Sequence, residues 1–212
     1  MNANSVHLYA ITDRHWLNGR TLSSQVREVL DGGATMVQLR EKTLDDAEFL
    51  AEARELKGIC AEFGVPLIID DRVSIARAVG VGVHLGQSDM DPRAAREVLG
   101  PEALIGVSCK TVAQALEAEA NGADYLGVGA VFPTATKTDT RVIDRSTLTA
   151  ICGAVKLPVV AIGGITLQNA RELVGTGIAG IAVISALFGA PSPRAAAQAL
   201  AALNYTTEDI LP

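Results

Sequence analysis

The sequence has few aromatic residues, few cysteines and no excess of positive charge. Aromatic residues make up 4% of the 212 positions, and the three cysteines include no CxxC pair. This odd count without metal-type spacing indicates neither a disulfide framework nor a zinc site, so we expect reduced thiols. Lysine and arginine total 18 against 24 acidic residues, a formal net charge of −6. The overall basic surface typical of a nucleic-acid-binding protein is therefore absent, and an anionic ligand requires a local cluster of cations.

The sequence also lacks a long hydrophobic run. The longest nearly uncharged stretch, residues 175–190, is interrupted by glycine and is shorter than the roughly 20 residues that span a bilayer. The first residues show no signal-peptide pattern of a basic segment followed by an apolar one. We therefore expect a cytoplasmic protein with neither membrane nor nucleic acid as a partner. The sequence allows either a monomer or a homo-oligomer.

Short apolar runs alternate with segments that carry helix signals. Eight such runs are present: Val6–Thr12, Met36–Arg40, Leu67–Asp70, Val81–Gly86, Leu104–Cys109, Tyr125–Ala130, Pro158–Gly164 and Gly180–Ser185. Most are continuous, which is typical of parallel strands covered on both faces. The pattern predicts an α/β fold, a single (β/α)8 TIM barrel over residues 1–212 with short tails at 1–5 and 204–212. An open doubly wound sheet stays an alternative, because periodicity does not reveal closure.

Helix boundaries are marked by capping residues. Thr43 precedes an amphipathic segment that ends at Gly64, and Thr111 has capping-box spacing from Gln114. The pairs Asp91–Pro92 and Ser192–Pro193 each place an N-cap residue before a proline.

Polar residues collect at the predicted carboxyl ends of the strands, where barrel enzymes build their active sites. In the second strand Gln38, Arg40 and Lys42 share one face, because side chains alternate. A guanidinium beside an ammonium suits a phosphate or diphosphate. The alternative is a strand that runs into an ordinary polar loop.

Carboxylates follow the next two strands. Asp70 and Asp71 end the third strand, and Asp89 follows the fourth. Hard oxygen ligands that leave room for water and phosphate are what Mg²⁺ prefers, although such pairs also decorate turns. His84 lies within the fourth strand, where we expect a packed core residue rather than a ligand or a base.

Two further loops have features of phosphate binding. Residues 132–137 combine hydroxyl groups with Lys137, and Gly163–Gly164 permits close approach of the backbone. We expect a helix to begin at Thr166, with free N–H groups ahead of it that can hold a phosphate. Each loop alone has low specificity.

Taken together, the motifs resemble the thiamine-phosphate synthase family. They run in the family's order from about residue 8 to residue 185: LYAITDR, GGATMVQLREK, IIDDR, GVHLGQSD, GVSC, GVGAVFPTATK, AIGGI and VIS. The resemblance implies a transferase of thiamine biosynthesis that joins hydroxymethylpyrimidine diphosphate to hydroxyethylthiazole phosphate, or to its carboxylated form, and releases pyrophosphate.

The resemblance also implies residue roles. The pyrimidine diphosphate would contact Gln38, Leu39, Arg40, Glu41, Lys42, Asp70, Ser108 and Lys137. The thiazole phosphate would contact Thr134, Ala135, Thr136, Gly164, Ile184 and Ser185. Asp71 and Asp89 would bind Mg²⁺, and Arg40, Lys42, Ser108 and Lys137 would serve catalysis.

One position departs from the family pattern. Asp70 stands where the family usually has asparagine, and an ionised aspartate cannot donate a hydrogen bond and adds negative charge near a diphosphate. We hypothesise that activity survives with a greater Mg²⁺ requirement.

The sequence is also compatible with three other functions. A thiazole tautomerase of the same barrel family would not need the metal and diphosphate half of the site. A phosphate-binding protein without catalysis would bind thiazole phosphate but release no pyrophosphate. A generic phosphate-handling barrel such as an aldolase fits less well, because no central strand lysine is present.

Overall fold

Eight parallel strands close into a barrel in chain order. A computed structural model describes residues 3–134 and 142–205. The strands are β1 (Leu8–Ile11), β2 (Met36–Leu39), β3 (Leu67–Asp70), β4 (Gly82–Leu85), β5 (Ile105–Cys109), β6 (Tyr125–Gly129), β7 (Val159–Ile162) and β8 (Gly180–Val183). Pairing of β1 with β8, with Tyr9 opposite Ala182, completes the ring. The predicted TIM barrel is confirmed, and the open sheet is excluded.

Helices surround the barrel. They are α1 (Leu22–Asp31), α2 (Asp46–Glu62), α3 (Val73–Val79), α4 (Pro92–Leu99), α5 (Val112–Ala120), α6 (Arg145–Ala154), α7 (Ser185–Phe188) and α8 (Pro193–Ala201). Short 3-10 helices span Ala3–Val6, Arg14–Trp16 and Ala170–Leu173. The expected caps at Asp91, Thr111 and Ser192 are confirmed, since each side chain accepts a backbone N–H in the first helical turn.

Two expected helix starts are wrong. Helix α2 begins after Asp45 rather than Thr43, because the Asp45 carboxylate accepts the backbone N–H of Glu48 at 2.9 Å. The segment after β7 forms a turn and the 3-10 helix Ala170–Leu173, not an α-helix from Thr166. There the Asn169 side chain accepts the Thr166 N–H at 2.8 Å and donates to the Gly164 carbonyl at 2.9 Å. The Thr166 N–H is thus already bonded within this turn.

The alternation of side chains divides the core into two regions. Inward-facing residues such as Tyr9, Met36 and Tyr125 fill the barrel. Outward-facing neighbours such as Leu8 and Val37 pack beneath the helices. The inner region fills the barrel itself, and the outer region joins the strands to the helices around them.

Several other features bear on the sequence expectations. The three cysteines are free, and Cys60 and Cys109 are buried. Within residues 204–212, expected to be a tail, Tyr205 is buried and its ring lies 5.4 Å from that of His7. Among the described helices, none is long and apolar enough to cross a bilayer.

Candidate active site

Two adjoining cavities open at the carboxyl ends of the strands. The first, of about 230 Å³, reaches into the barrel and is lined by side chains that include Gln38, Arg40, Asp70, Asp71 and Asp89. The second, of about 590 Å³, lies over β5 to β8. Seven residues border both cavities: Arg40, Gly86, Ser108, Gly127, Ile162, Ala182 and Ile184. The arrangement can hold two ligands side by side.

The two predicted cations follow β2: Arg40 lines the first cavity, and Lys42, which does not, contacts two carboxylates that line it. The Lys42 ammonium contacts Asp70 Oδ2 at 2.7 Å and Asp71 Oδ2 at 2.5 Å. Partial burial disfavours its charged form, but these contacts outweigh burial and raise the pKa of Lys42. The Arg40 guanidinium lies 3.4 Å from Asp13 and 4.0 Å from Asp70. Both basic side chains therefore lie beside carboxylates.

The predicted metal ligands come together. Asp89 accepts the Gly86 N–H at 2.6 Å, and its side chain also interacts with that of Asp71. Partial burial and the neighbouring Asp71 and Asp70 raise the pKa of Asp89 despite the Gly86 hydrogen bond. Within the described residues no group of three or more His, Cys, Asp or Glu forms a metal cage by itself. Mg²⁺ commonly uses only one or two carboxylates together with water and substrate phosphate, and this donor set fits that pattern.

Backbone conformation directs Asp71 toward this cluster. Its φ of 61° is left-handed, which is unfavourable for a residue with a side chain and is found mainly at turns and functional sites. The Asp71 N–H donates to the His84 carbonyl at 2.9 Å and holds the turn after β3.

Two residues of the QLREK motif point away from the cavities. The Leu39 side chain packs in the outer core beneath the helices. The Glu41 carboxylate is 2% exposed and contacts Arg14 at 2.7 Å, while Arg14 also contacts Glu52 at 2.6 Å. Burial, with a smaller contribution from Glu52, raises the pKa of Glu41 to about 7, although Arg14 acts in the opposite direction. Contact of Leu39 with a ligand in the cavities would have to be made by its main chain.

The predicted thiazole phosphate residues border the second cavity. Thr134, Gly164, Ile184 and Ser185 all line it. A Cβ on Gly164 would lie 2.3 Å from the Pro133 carbonyl oxygen, so the loops after β6 and β7 meet too closely for a side chain there. Ala135, Thr136 and Lys137 lie outside the described residues.

A hydrogen-bonded chain of five side chains crosses the barrel, and four of them line the first cavity. Gln38 Nε2 lies 2.7 Å from Tyr9 Oη, which lies 2.9 Å from Tyr125 Oη. His84 Nδ1 lies 3.1 Å from Tyr125 Oη, and His84 Nε2 lies 2.9 Å from Ser108 Oγ. His84 is buried, as expected, but it also contacts a predicted site residue.

Sequence reasoning found only Gln38 and Ser108 of this chain. Two glycines inside strands, Gly106 in β5 and Gly127 in β6, are a signal that could have indicated large rings in the barrel interior. A Cβ on Gly106 would lie 2.1 Å from Tyr125 Cζ, and one on Gly127 would lie 3.0 Å from His84 Cε1.

Comparison with known proteins identifies the family. The family described as Thiamine monophosphate synthase matches residues 8–187, most of the chain. The chain belongs to the thiamine monophosphate synthase family. It is accordingly an enzyme, a transferase of thiamine biosynthesis, as the motifs predicted.

Individual members of the thiamine monophosphate synthase family match over nearly their whole length. A thiamine-phosphate synthase of Ruminiclostridium cellulolyticum is 45% identical, over 91% of this chain and 92% of its own. One of Clostridium acetobutylicum is 48% identical, over 86% of this chain and 87% of its own. The solved structure of a thiamine phosphate pyrophosphorylase from Pyrococcus furiosus is 45% identical, with a TM-score of 0.86 over 93% of this chain and 95% of its own.

Proposed function

We propose that the enzyme condenses hydroxymethylpyrimidine diphosphate with hydroxyethylthiazole phosphate, or its carboxylated form, to give thiamine phosphate and pyrophosphate. The observation that carries this proposal is the pair of adjoining cavities. One is lined by Arg40 and by carboxylates that Lys42 contacts, and the other lies against the glycine loop after β7. A ligand in each would meet at the residues that border both.

The first cavity suits the diphosphate half of the reaction. Breaking the bond between the pyrimidine methylene carbon and the diphosphate oxygen leaves negative charge on the departing pyrophosphate. Arg40 and Lys42 would stabilise this charge, since both are partly buried cations beside the carboxylates of this cavity. The electron-rich aminopyrimidine would share the positive charge that develops on the carbon.

Asp71 and Asp89 are the residues that would hold Mg²⁺. The bound ion would supply further positive charge for the diphosphate oxygens. Lys42 already contacts Asp71, so its ammonium can turn from carboxylate to diphosphate oxygen within the same cluster.

The second cavity suits the nucleophile. Its thiazole nitrogen carries a lone pair, so the attack needs no general base and no covalent enzyme intermediate. Backbone at Gly164 and the Ile184–Ser185 segment would position the thiazole phosphate.

The proposal is tested by product analysis. The purified enzyme is incubated with both substrates, first with Mg²⁺ and then with excess chelator. We expect thiamine phosphate and pyrophosphate in equal amounts, and only with Mg²⁺. Binding of thiazole phosphate without pyrophosphate release would instead favour a tautomerase or a binding protein.

A matched pair of variants connects the activity to the site. Arg40→Ala should lower kcat by about two orders of magnitude or more, because charge stabilisation at the leaving group is lost. Arg54→Ala, on the exposed surface of α2, controls for loss of an arginine. Equal turnover in the two variants would remove Arg40 from the mechanism.

A further inference from the structure

The chain of polar side chains from Gln38 to Ser108 has one direction. The Gln38 amide donates through Nε2 to Tyr9 Oη. Either hydroxyl could donate in the hydrogen bond between Tyr9 and Tyr125. Gln38 Nε2 cannot accept the Tyr9 hydrogen, and a buried hydroxyl hydrogen is rarely left unpaired, so we assign Tyr9 as the donor to Tyr125 Oη. By the same rule Tyr125 donates to His84 Nδ1.

The direction continues through the imidazole to the cavity. Since Nδ1 of His84 accepts a hydrogen bond, the neutral ring carries its hydrogen on Nε2 and donates it to Ser108 Oγ. Ser108 Oγ then has an accepting lone pair in use, and its hydroxyl hydrogen is directed elsewhere. Ser108 borders both cavities, so that hydrogen is available to a ligand atom.

Burial keeps the two phenols of the chain protonated. Tyr9 and Tyr125 are completely desolvated, and burial raises the pKa of both phenols above their ordinary value. Both therefore keep the hydrogen that the chain needs. Gly106 and Gly127 leave room for the Tyr125 and His84 rings, and a Cβ at either position would press on them.

We propose that Tyr9, Tyr125 and His84 are positioning residues that transmit the donor direction of the Gln38 amide to Ser108. Ser108 thereby presents a hydrogen to an acceptor atom of a bound nitrogen heterocycle, such as an unprotonated pyrimidine nitrogen. The class of ligand rests on the proposed function, whereas the direction of the chain rests on the hydrogen bonds alone.

The tautomer of His84 tests the direction without any substrate. The protein has three histidines, so ¹⁵N-labelled imidazoles give few signals, and a His84→Gln variant identifies the one of interest. We expect the hydrogen on Nε2 and a bare Nδ1 in the wild-type protein. A hydrogen on Nδ1, or a doubly protonated ring, would overturn the proposal.

A single substitution tests the transmission. Tyr125→Phe removes the donor to His84 Nδ1 without touching either cavity. We expect the His84 tautomer to change and the KM for pyrimidine diphosphate to rise about tenfold, as for one lost hydrogen bond, while the KM for thiazole phosphate stays unchanged. Tyr205→Phe is the matched control, since that buried hydroxyl contacts the Leu200 carbonyl away from the cavities.

The outcomes separate this inference from the proposed function. If the wild-type enzyme forms thiamine phosphate but Tyr125→Phe changes neither the His84 signal nor the pyrimidine KM, only the inference fails. Equal increases in both KM values would also contradict it, because they indicate general disruption. If the wild-type enzyme forms no product, the proposed function fails, and the His84 tautomer still decides the direction of the chain.

Discussion

Lys42 lies between Asp70 and Asp71, and this position decides what a substitution at Asp70 should do. Asp70 is 7% exposed, and its carboxylate is 2.7 Å from the ammonium that would bind diphosphate. Asp70→Asn removes a competing negative charge and supplies an amide donor. We expect a several-fold lower KM for pyrimidine diphosphate and half-maximal activity at less Mg²⁺. Asp46→Asn, at an exposed residue of α2, is the control; unchanged Mg²⁺ dependence in Asp70→Asn would contradict the hypothesis.

Glu41 is a second residue whose surroundings predict a measurable effect, here on stability. Its pKa is raised from 4.5 to about 7, so the folded protein retains a proton that the unfolded chain releases. The wild-type protein should therefore lose stability as the pH rises through this window. Glu41→Gln cannot release the proton, so its Tm relative to wild type should be higher at about pH 8 than at about pH 5. The control is Glu102→Gln on the surface, whose Tm relative to wild type should be the same at both pH values. A Tm difference for Glu41→Gln that also stays the same at both pH values would refute the prediction.

At the scale of elements, glycines in β5 and β6 leave room for the Tyr125 and His84 rings inside the barrel. A Cβ on Gly106 would lie 2.1 Å from Tyr125 Cζ and 2.5 Å from His84 Nδ1, and Tyr125 has no exposed surface. We expect Gly106→Ala to lower the free energy of unfolding by about 1–3 kcal/mol or more. Gly58→Ala, in α2 with open space around it, should instead gain about 0.5–1 kcal/mol. Urea unfolding measures the free energy of unfolding of each variant, and equal midpoints for Gly106→Ala and Gly58→Ala would contradict the prediction.

The elements also show what sequence can predict. Continuous apolar runs located all eight strands, and side-chain alternation placed Gln38 and Arg40 on the cavity side of β2. The exact start of a helix was harder to predict where two capping residues lie close together, since Asp45 rather than Thr43 caps α2. The contact between His84 and Ser108 depends on the pairing of β4 with β5, which is a long-range property. The sequence of one strand alone does not determine its register against a neighbouring strand.

For the whole molecule, the balance of charge constrains how an anion binds. The formal net charge is −6, so the protein as a whole repels a diphosphate. Among the described residues, Arg40 lines the first cavity and Lys42 contacts two of its carboxylates; these two cations offset the repulsion, and both lie beside carboxylates. A bound divalent cation at Asp71 and Asp89 would reverse the sign of the local field. Diphosphate binding should accordingly depend on that cation more than on either basic side chain alone.

This dependence can be measured through the stability of the whole protein. A ligand that binds only the folded state at about 100 times its Kd adds about 2.7 kcal/mol, which raises the Tm of a chain of this size by about 5–11 °C. We expect inorganic pyrophosphate to produce such a shift with Mg²⁺ and a much smaller one with excess chelator. Arg40→Ala should reduce the Mg²⁺-dependent shift, and the surface variant Arg54→Ala should retain it. If pyrophosphate raised the Tm equally with and without Mg²⁺, the two basic side chains would suffice for the diphosphate, and the carboxylates would need another role.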